Sequence, residues 1–347
     1  SERLTTMLDP TSPSLASAQA TTLASPERYL TLVADKLAAS EKLFVEMLDS
    51  DVPFIREAGE HIFDAGGKRF RPALLLLSAK LLDHDSDEEV TYATVVELIH
   101  TATLIHDDII DHASLRRGHS TVNQIWGNSL TVLLGDWLYT TSMKMALSHD
   151  NLEVIRRLCD ATLRMTEGEL LAQQRLGSVD LATEEYFDIT RRKTAHLFSA
   201  ACSIPALMEP ARPDADLALQ EYGRALGTCF QLVDDLLDFT ASKAELGKPV
   251  LSDLREGKLT LPLILLLSRI DRKQKDLIGM VLEDGDFERV DRQQILELVD
   301  SEGTLEETAE MAEDLAVKAR EQLGLFPPST AREAMEFAPD FVLQRRS

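Results

Sequence analysis

Apolar residues recur along most of the chain at the three- and four-residue spacing of amphipathic helices, and no convincing strand-like alternation occurs. Ser25 and Pro26 read as a helix start, with apolar positions continuing at helical spacing to about Leu48. Val52 and Pro53 open a second helix that stops near Ala65-Gly66-Gly67. Leu74 to Leu82 is apolar on nearly every side and is predicted to be a core helix. An acidic loop from Asp83 to Glu89 leads to a long helix from Val90 to near Ala113. Further helices are predicted over Gln124–Leu147, Leu152–Gln174, Glu184–Leu207 and Asp214–Thr240, the third of these closed by Pro210 and Pro213. A polar loop, ASKAELGKPVLSDLREGK, precedes the apolar run Leu259 to Leu267. The segment from Arg272 to Gln322 is strongly charged with a helical apolar stripe, which predicts an outer layer of amphipathic helices. No internal repeat at fixed period occurs, and no linker between Ala65 and Leu267 divides the chain. The simplest account is one all-α domain over residues 26–347, preceded by a disordered tail over 1–25.

Two stretches break the helical pattern of polar outside and apolar inside. HTATLIHDDIID, residues 100 to 111, sets Asp107, Asp108 and Asp111 among Leu and Ile with no glycine or proline. Residues four and seven apart on a helix face nearly the same way, so His100, Leu104, Asp107 and Asp111 share one stripe. Two carboxylates one turn apart in apolar surroundings repel each other and are costly to desolvate, and a divalent cation relieves both penalties. Oxygen ligands without thiolates suit magnesium, which takes few protein ligands together with substrate phosphates. FQLVDDLLDFT, residues 230 to 240, repeats the arrangement with Asp234, Asp235 and Asp238. Two such clusters facing one another would hold several magnesium ions, and several ions imply a diphosphate.

Composition narrows this picture. Of 347 residues, 44% are hydrophobic, ample for a core, and the formal charge of −23 argues against nucleic acid and anionic membranes as partners. No run of eighteen apolar residues occurs, so no transmembrane helix is expected, and the N-terminus lacks the pattern of a secretion signal. The three cysteines, Cys159, Cys202 and Cys229, lack metal-ligand spacing and read as reduced core residues of a cytoplasmic protein. An acidic protein that binds an anionic substrate also needs local cations. Four basic clusters supply candidates: Lys68 with Arg71, Arg116 with Arg117, Lys193, and Lys248 with Lys258. Arginine forks grip phosphate oxygens in pairs and lysine adds a point charge.

Taken together, GGKRFRP, DDIID followed by RRG, GDWLY, KTAHLF, FQLVDDLLD and GKPVLSDLREGKLTLP resemble, in order, the signatures of the trans-isoprenyl diphosphate synthases, the polyprenyl synthetase family. The resemblance is close from Gly66 to Pro262 and looser at the ends. It implies the all-α isoprenoid synthase fold, with helices around a central catalytic cavity, in a homodimer. It implies a magnesium-dependent prenyltransferase that condenses isopentenyl diphosphate onto an allylic diphosphate, farnesyl or geranylgeranyl diphosphate. Asp107, Asp111 and Asp234 would hold three magnesium ions, with manganese as a substitute, supported by Asp108, Asp235 and Asp238. Arg116, Lys193 and Lys248 match allylic diphosphate positions, with Lys258 nearby; Lys68, Arg71, His100 and Arg117 match isopentenyl diphosphate positions. Thr194 and Gln231 match positions close to the forming carbocation.

The family sets product length with the residues four and five places before its first aspartate motif, which are Thr103 and Ala102 here. Both are small, so the floor of the product tunnel is open; Met143, Ala146 and Leu158 are candidates for a deeper floor. Each added isoprene unit buries five carbons, worth roughly 4 kcal/mol at about 0.8 kcal/mol per methylene-sized group, so a side-chain block is the practical stop. TEGELLAQ, from Thr166, also resembles long-chain members. The expected product is a medium- to long-chain diphosphate, heptaprenyl to decaprenyl, with octaprenyl or nonaprenyl (solanesyl) favoured, of the kind used as a quinone side chain. Alternatives are a geranylgeranyl or other short-chain synthase, a class I terpene cyclase, a non-catalytic synthase subunit, and a metal phosphohydrolase, for which His106-Asp107 would be the core of an H…HD…D site.

Overall fold

The computed structural model describes residues 29–67, 69–116, 118–240 and 249–346; side chains are described as far as residue 345. Lys68, Arg117 and Lys248, together with the expected tail, lie outside the described residues. After a short 3-10 turn over Thr31–Val33, the helices are α1 Ala34–Leu48, α2 Pro53–Asp64, α3 Phe70–Leu81 and α4 Glu88–Ile110. A two-residue hairpin, β1 Leu115–Arg116 and β2 His119–Ser120, follows. Then come α5 Val122–Trp126, α6 Asn128–Ala146, α7 Leu152–Gln174, α8 Thr183–Thr190, α9 His196–Ser203 and α10 Pro213–Thr240. The chain closes with α11 Ser252–Arg255, α12 Leu261–Arg269, α13 Arg272–Asp284, α14 Arg292–Ser301, α15 Thr304–Gln322 and α16 Thr330–Leu343.

The fold is all-α, as the periodicity predicts. Three differences from the sequence reading, two at boundaries and one inside a helix, have local reasons. The segment read as one helix over Gln124–Leu147 is broken at Gly127, whose φ of 83° lies in the left-handed region that glycine adopts without strain. α4 ends at Ile110 rather than Ala113, because His112 turns to a φ of 52°. The helical run from Thr183 to Leu207 is continuous but contains a π turn over Arg191–Ala195. Such single turns insert one extra residue and concentrate at functional positions.

α4 is apolar nearly all round because it is buried on two sides. Tyr92, Val95, Val96 and Ile99 join the main core with α3, α9 and α10. Leu98, Ala102 and Ile105 join a second cluster with Phe44, Leu48, Ile55, Leu134 and Leu138 of α1, α2 and α6. α10 is the second central helix. The charged C-terminal segment does not all form an outer layer: α15 packs along α10, burying Ala312, Ala316 and Ala319. Alanines at this spacing give a flat stripe on which two helices approach closely. All three cysteines are free; Cys202 and Cys229 are buried, but Cys159 is exposed on α7 and is not a core residue. No helix among the described residues is long and apolar enough to cross a membrane.

Candidate active site

The two central helices end in the two aspartate motifs, and the π turn lies between them. At the end of α4 the Asp111 N–H donates to the Asp107 carbonyl at 2.8 Å, so both side chains leave the last turn together. Lys193, on the π turn, places Nζ 3.9 Å from Asp107 Oδ2 and pairs with Glu169 of α7. Burial pushes the Asp107 carboxyl up to about 6, the Lys193 ammonium pulling it back in part and Glu169 and Asp111 adding to the rise. Desolvation therefore outweighs the single ammonium. Burial opposes the charge on Lys193, but Asp107 and Glu169 outweigh it and raise its pKa.

The other carboxylates are equally engaged. Lys258 Nζ lies 3.0 Å from Asp111 Oδ1 and 3.2 Å from Glu256 Oε2. Asp108, buried, accepts from Arg116 Nε at 2.8 Å. Asp234 Oδ1 lies 2.8 Å from Arg345 Nη2 in the 3-10 turn that follows α16. Asp235 and Asp238 are buried. Burial, with Asp253 nearby, pushes Asp235 up to about 8 against the hydrogen bonds it accepts from Tyr186 and Gln231. Asp238 is also raised by burial and by Asp253, although it accepts the N–H groups of Ser252 at 3.0 Å and Asp253 at 3.2 Å. Its carboxylate thus fastens the loop that carries Lys258 onto the end of α10.

A basic and aromatic wall completes the site. Arg71 Nη1 donates to His100 Nε2 at 3.1 Å, which puts the imidazole proton on Nδ1. The Arg71 guanidinium lies 4.4 Å from the Phe198 ring centroid, and Arg345 lies 4.6 Å from that of Phe230. The two rings are themselves 5.3 Å apart. Neighbouring Arg69 takes a left-handed backbone conformation, φ 46°, and donates through Nη1 to Glu97 at 2.7 Å. Arg69 is therefore an anchor at the start of α3.

Of the sequence-predicted residues, Asp107, Asp111, Lys193 and Lys258 are linked by direct ion pairs or shared fields, as are Arg71 and His100. Thr194 Oγ1 donates to Gln231 Oε1 at 2.9 Å. Thr103 lies on the Asp107 side of α4, with Oγ1 donating to the His100 carbonyl at 2.8 Å. Ala102 is buried in the cluster shared with α6, whereas Met143, Ala146 and Leu158 belong to the main core. His106 points away from the site: its Nε2 meets the Val132 carbonyl at 3.0 Å, and the ring fills the space over Gly135, where a Cβ would come within 2.2 Å of it. Its imidazole is a packing element between α4 and α6, which removes the geometric basis for an H…HD…D metal site.

Several participants escaped the sequence reading. Glu169 and Gly168 lie in TEGELLAQ, yet nothing local shows that the Glu169 carboxylate meets Lys193. Nor does it show that a Cβ on Gly168 would come within 2.6 Å of the Lys193 backbone nitrogen. Tyr186, Asp253 and Arg345 reach the site only through the fold. Phe198 and Phe230 stand inside quoted motifs, and their aromatic character was the available signal.

Three carboxylates at the rim, Asp107, Asp111 and Asp234, each draw a lysine or arginine. This oxygen-only set fits a hard divalent cation that takes few protein ligands. Among the described residues, no group of three His, Cys, Asp or Glu side chains forms a ready-made cage. Helical walls, paired carboxylates and a cationic, aromatic face define a site for anionic, diphosphate-like substrates. Comparison with known proteins specifies the family. The polyprenyl synthetase model matches residues 52–299. The octaprenyl diphosphate synthase of Escherichia coli (strain K12) is 37% identical over 319 residues, covering 92% of this chain and 98% of that protein. A decaprenyl diphosphate synthase from Rhodobacter capsulatus superposes with a TM-score of 0.88 at 36% identity, covering 93% of this chain and 100% of the other. A polyprenyl synthase from Caulobacter crescentus CB15, complexed with calcium and isoprenyl diphosphate, gives 0.89 at 35% identity, with 94% and 100% covered. This chain belongs to the polyprenyl synthetase family.

Proposed function

We propose that the protein is a medium- to long-chain trans-polyprenyl diphosphate synthase that adds isopentenyl diphosphate repeatedly to an allylic diphosphate, farnesyl or geranylgeranyl diphosphate. The product is octaprenyl or nonaprenyl diphosphate. The observation that carries this reading is that Lys193 and Thr194, adjacent on the π turn, reach one aspartate motif each: Lys193 pairs with Asp107 and Glu169, and Thr194 bonds through Gln231 to Asp235. The octaprenyl and decaprenyl activities named for its relatives support the chain-length class.

Asp107, Asp111 and Asp234 would hold magnesium, three ions in all, with Asp108, Asp235 and Asp238 behind them. When bound, the metal neutralises the diphosphate and favours its departure. Lys193, Lys258 and Arg116 bind the allylic diphosphate and take up the charge that develops as its C–O bond breaks, where stabilisation acts on the rate. Arg71 and His100 hold the diphosphate of isopentenyl diphosphate, whose double bond attacks the allylic cation. Thr194 and Gln231 present fixed dipoles to that cation, and the Phe198 and Phe230 wall keeps water from quenching it. The proton lost at the end of each addition goes to the released diphosphate, held within reach by the same lysines. The tail grows along a tunnel past Ala102 and Thr103 toward Met143, Ala146 and Leu158.

The functional unit is a homodimer in this reading. Ile125, Leu130, Val132, Leu133 and Tyr139 are exposed on α5 and α6, apolar surface that a second subunit would cover. Incubation of purified protein with magnesium, farnesyl diphosphate and labelled isopentenyl diphosphate, followed by dephosphorylation and mass spectrometry, tests the reading. Octaprenyl or nonaprenyl alcohol is the expected product. Hydrolysis alone, or a cyclised hydrocarbon, would overturn it.

A further inference from the structure

We propose that Tyr186 is a positioning residue for the condensation, acting through Asp235 to fix the side-chain amide of Gln231. The inference rests on the synthase reading above. Tyr186, in α8, is 6% exposed, and its hydroxyl donates to Asp235 Oδ2 at 2.5 Å. The other oxygen of the same carboxylate accepts from Gln231 Nε2 at 2.9 Å. Gln231 Oε1 in turn accepts from Thr194 Oγ1 at 2.9 Å. The four side chains form one line from α8 to α10 and back to the π turn. Donors run into Asp235 from both ends, Thr194 through Gln231 on one side and Tyr186 on the other, so each bond in the line has a fixed direction.

That direction decides which end of the Gln231 amide faces which neighbour. An amide can flip its oxygen and nitrogen with little change in shape, so its orientation is set by hydrogen bonds alone. Asp235, as an acceptor, selects the NH2 end of Gln231, leaving the oxygen to Thr194. The Tyr186 O–H binds Oδ2 and so holds the carboxyl with Oδ1 turned toward the Gln231 amide. Polar groups this deeply buried gain their specificity from full pairing and lose it when one partner is missing. Tyr186 thus holds a fixed dipole beside the Lys193–Thr194 turn, and it does so without touching substrate.

The test is steady-state kinetics of a single condensation in Tyr186→Phe, Gln231→Leu, and the double variant, with the thermal midpoint of each. Tyr186→Phe keeps the ring and removes one hydrogen bond to the buried Asp235 carboxyl. Its kcat is expected to fall about tenfold to a hundredfold, with KM for both substrates within about twofold. In the Gln231→Leu background the same change is expected to cost little further, because the group through which it acts is gone. Thr194→Val breaks the opposite end of the line and is expected to be similarly non-additive with Tyr186→Phe. Equal losses in both backgrounds would show that Tyr186 acts independently of Gln231 and overturn the proposal. So would an unchanged kcat in Tyr186→Phe. If the wild-type protein forms no prenyl product, the synthase reading itself fails, whatever the Tyr186 variants do.

Discussion

Arg345 and Asp234 meet at 2.8 Å, the guanidinium of the last turn resting on a carboxylate from the end of α10. The same guanidinium stacks over Phe230, one turn before Asp234 on α10. Lys193 stands in the same relation to Asp107, and Lys258 to Asp111. Each carboxylate assigned to magnesium thus already carries a cation from the protein. Metal loading is therefore an exchange of cations at these carboxylates rather than a filling of bare ones. Partly exposed ion pairs of this kind contribute at most about 1 kcal/mol. Arg345→Gln is accordingly expected to lower the magnesium concentration for half-maximal activity by about two- to fivefold, at saturating substrates. An increased magnesium requirement would show that Arg345 assists loading rather than competing with it.

Asp107→Asn separates catalysis from stability. In the proposed mechanism Asp107 would hold a divalent cation against the leaving diphosphate, and its removal is expected to reduce kcat by about 10²- to 10³-fold. Burial disfavours the Asp107 charge in the fold, so the neutral amide is expected to leave the thermal midpoint of the metal-free protein at pH 8 unchanged or higher. A large drop in the midpoint would mean that the Lys193 pair, not desolvation, dominates at this position.

Acidity should stabilise the metal-free protein over a defined window. Burial raises the carboxyl pKa from 3.8 to about 6 at Asp107 and to about 8 at Asp235. Above 3.8 the unfolded chain has released these protons while the folded chain still holds them. The folded state therefore binds more protons, and stability falls as pH rises through 6 toward 8. Urea midpoints in EDTA are expected to decrease from pH 5 to pH 8. Asp235→Asn should flatten the upper part of that decline, and an unchanged slope in this variant would assign the effect to the overall negative charge instead.

Ala102→Phe addresses product length. Ala102 is 3% exposed in the cluster that α4 shares with α6, so a phenyl ring there must enter the space between these helices. Reversed-phase chromatography of the dephosphorylated products is expected to show a shift to chains of about twenty carbons or fewer. Overpacking costs typically about 1–3 kcal/mol, so the thermal midpoint should fall as well. A lowered midpoint with products of unchanged length would remove Ala102 from the tunnel wall.

What the sequence determined by itself is what depends on neighbours a few residues away. Helical periodicity, the Gly66-Gly67 stop and the i, i+4 spacing of Asp107 and Asp111 are local properties of the backbone, so the all-α class and the carboxylate motifs were legible in the order of residues. The tertiary structure alone decided what each charge meets. Glu169 reaches Lys193 because Gly168 lets α7 close on the π turn; Tyr186 reaches Asp235 because α8 packs on α10; Arg345 reaches Asp234 because α16 packs on α10. His106, next to Asp107 in the chain, turns about 100° around the helix and packs against Gly135 instead. The angle between successive helix positions, and which helix packs on which face, are set by burial over the whole chain. No short pattern around either residue encodes them.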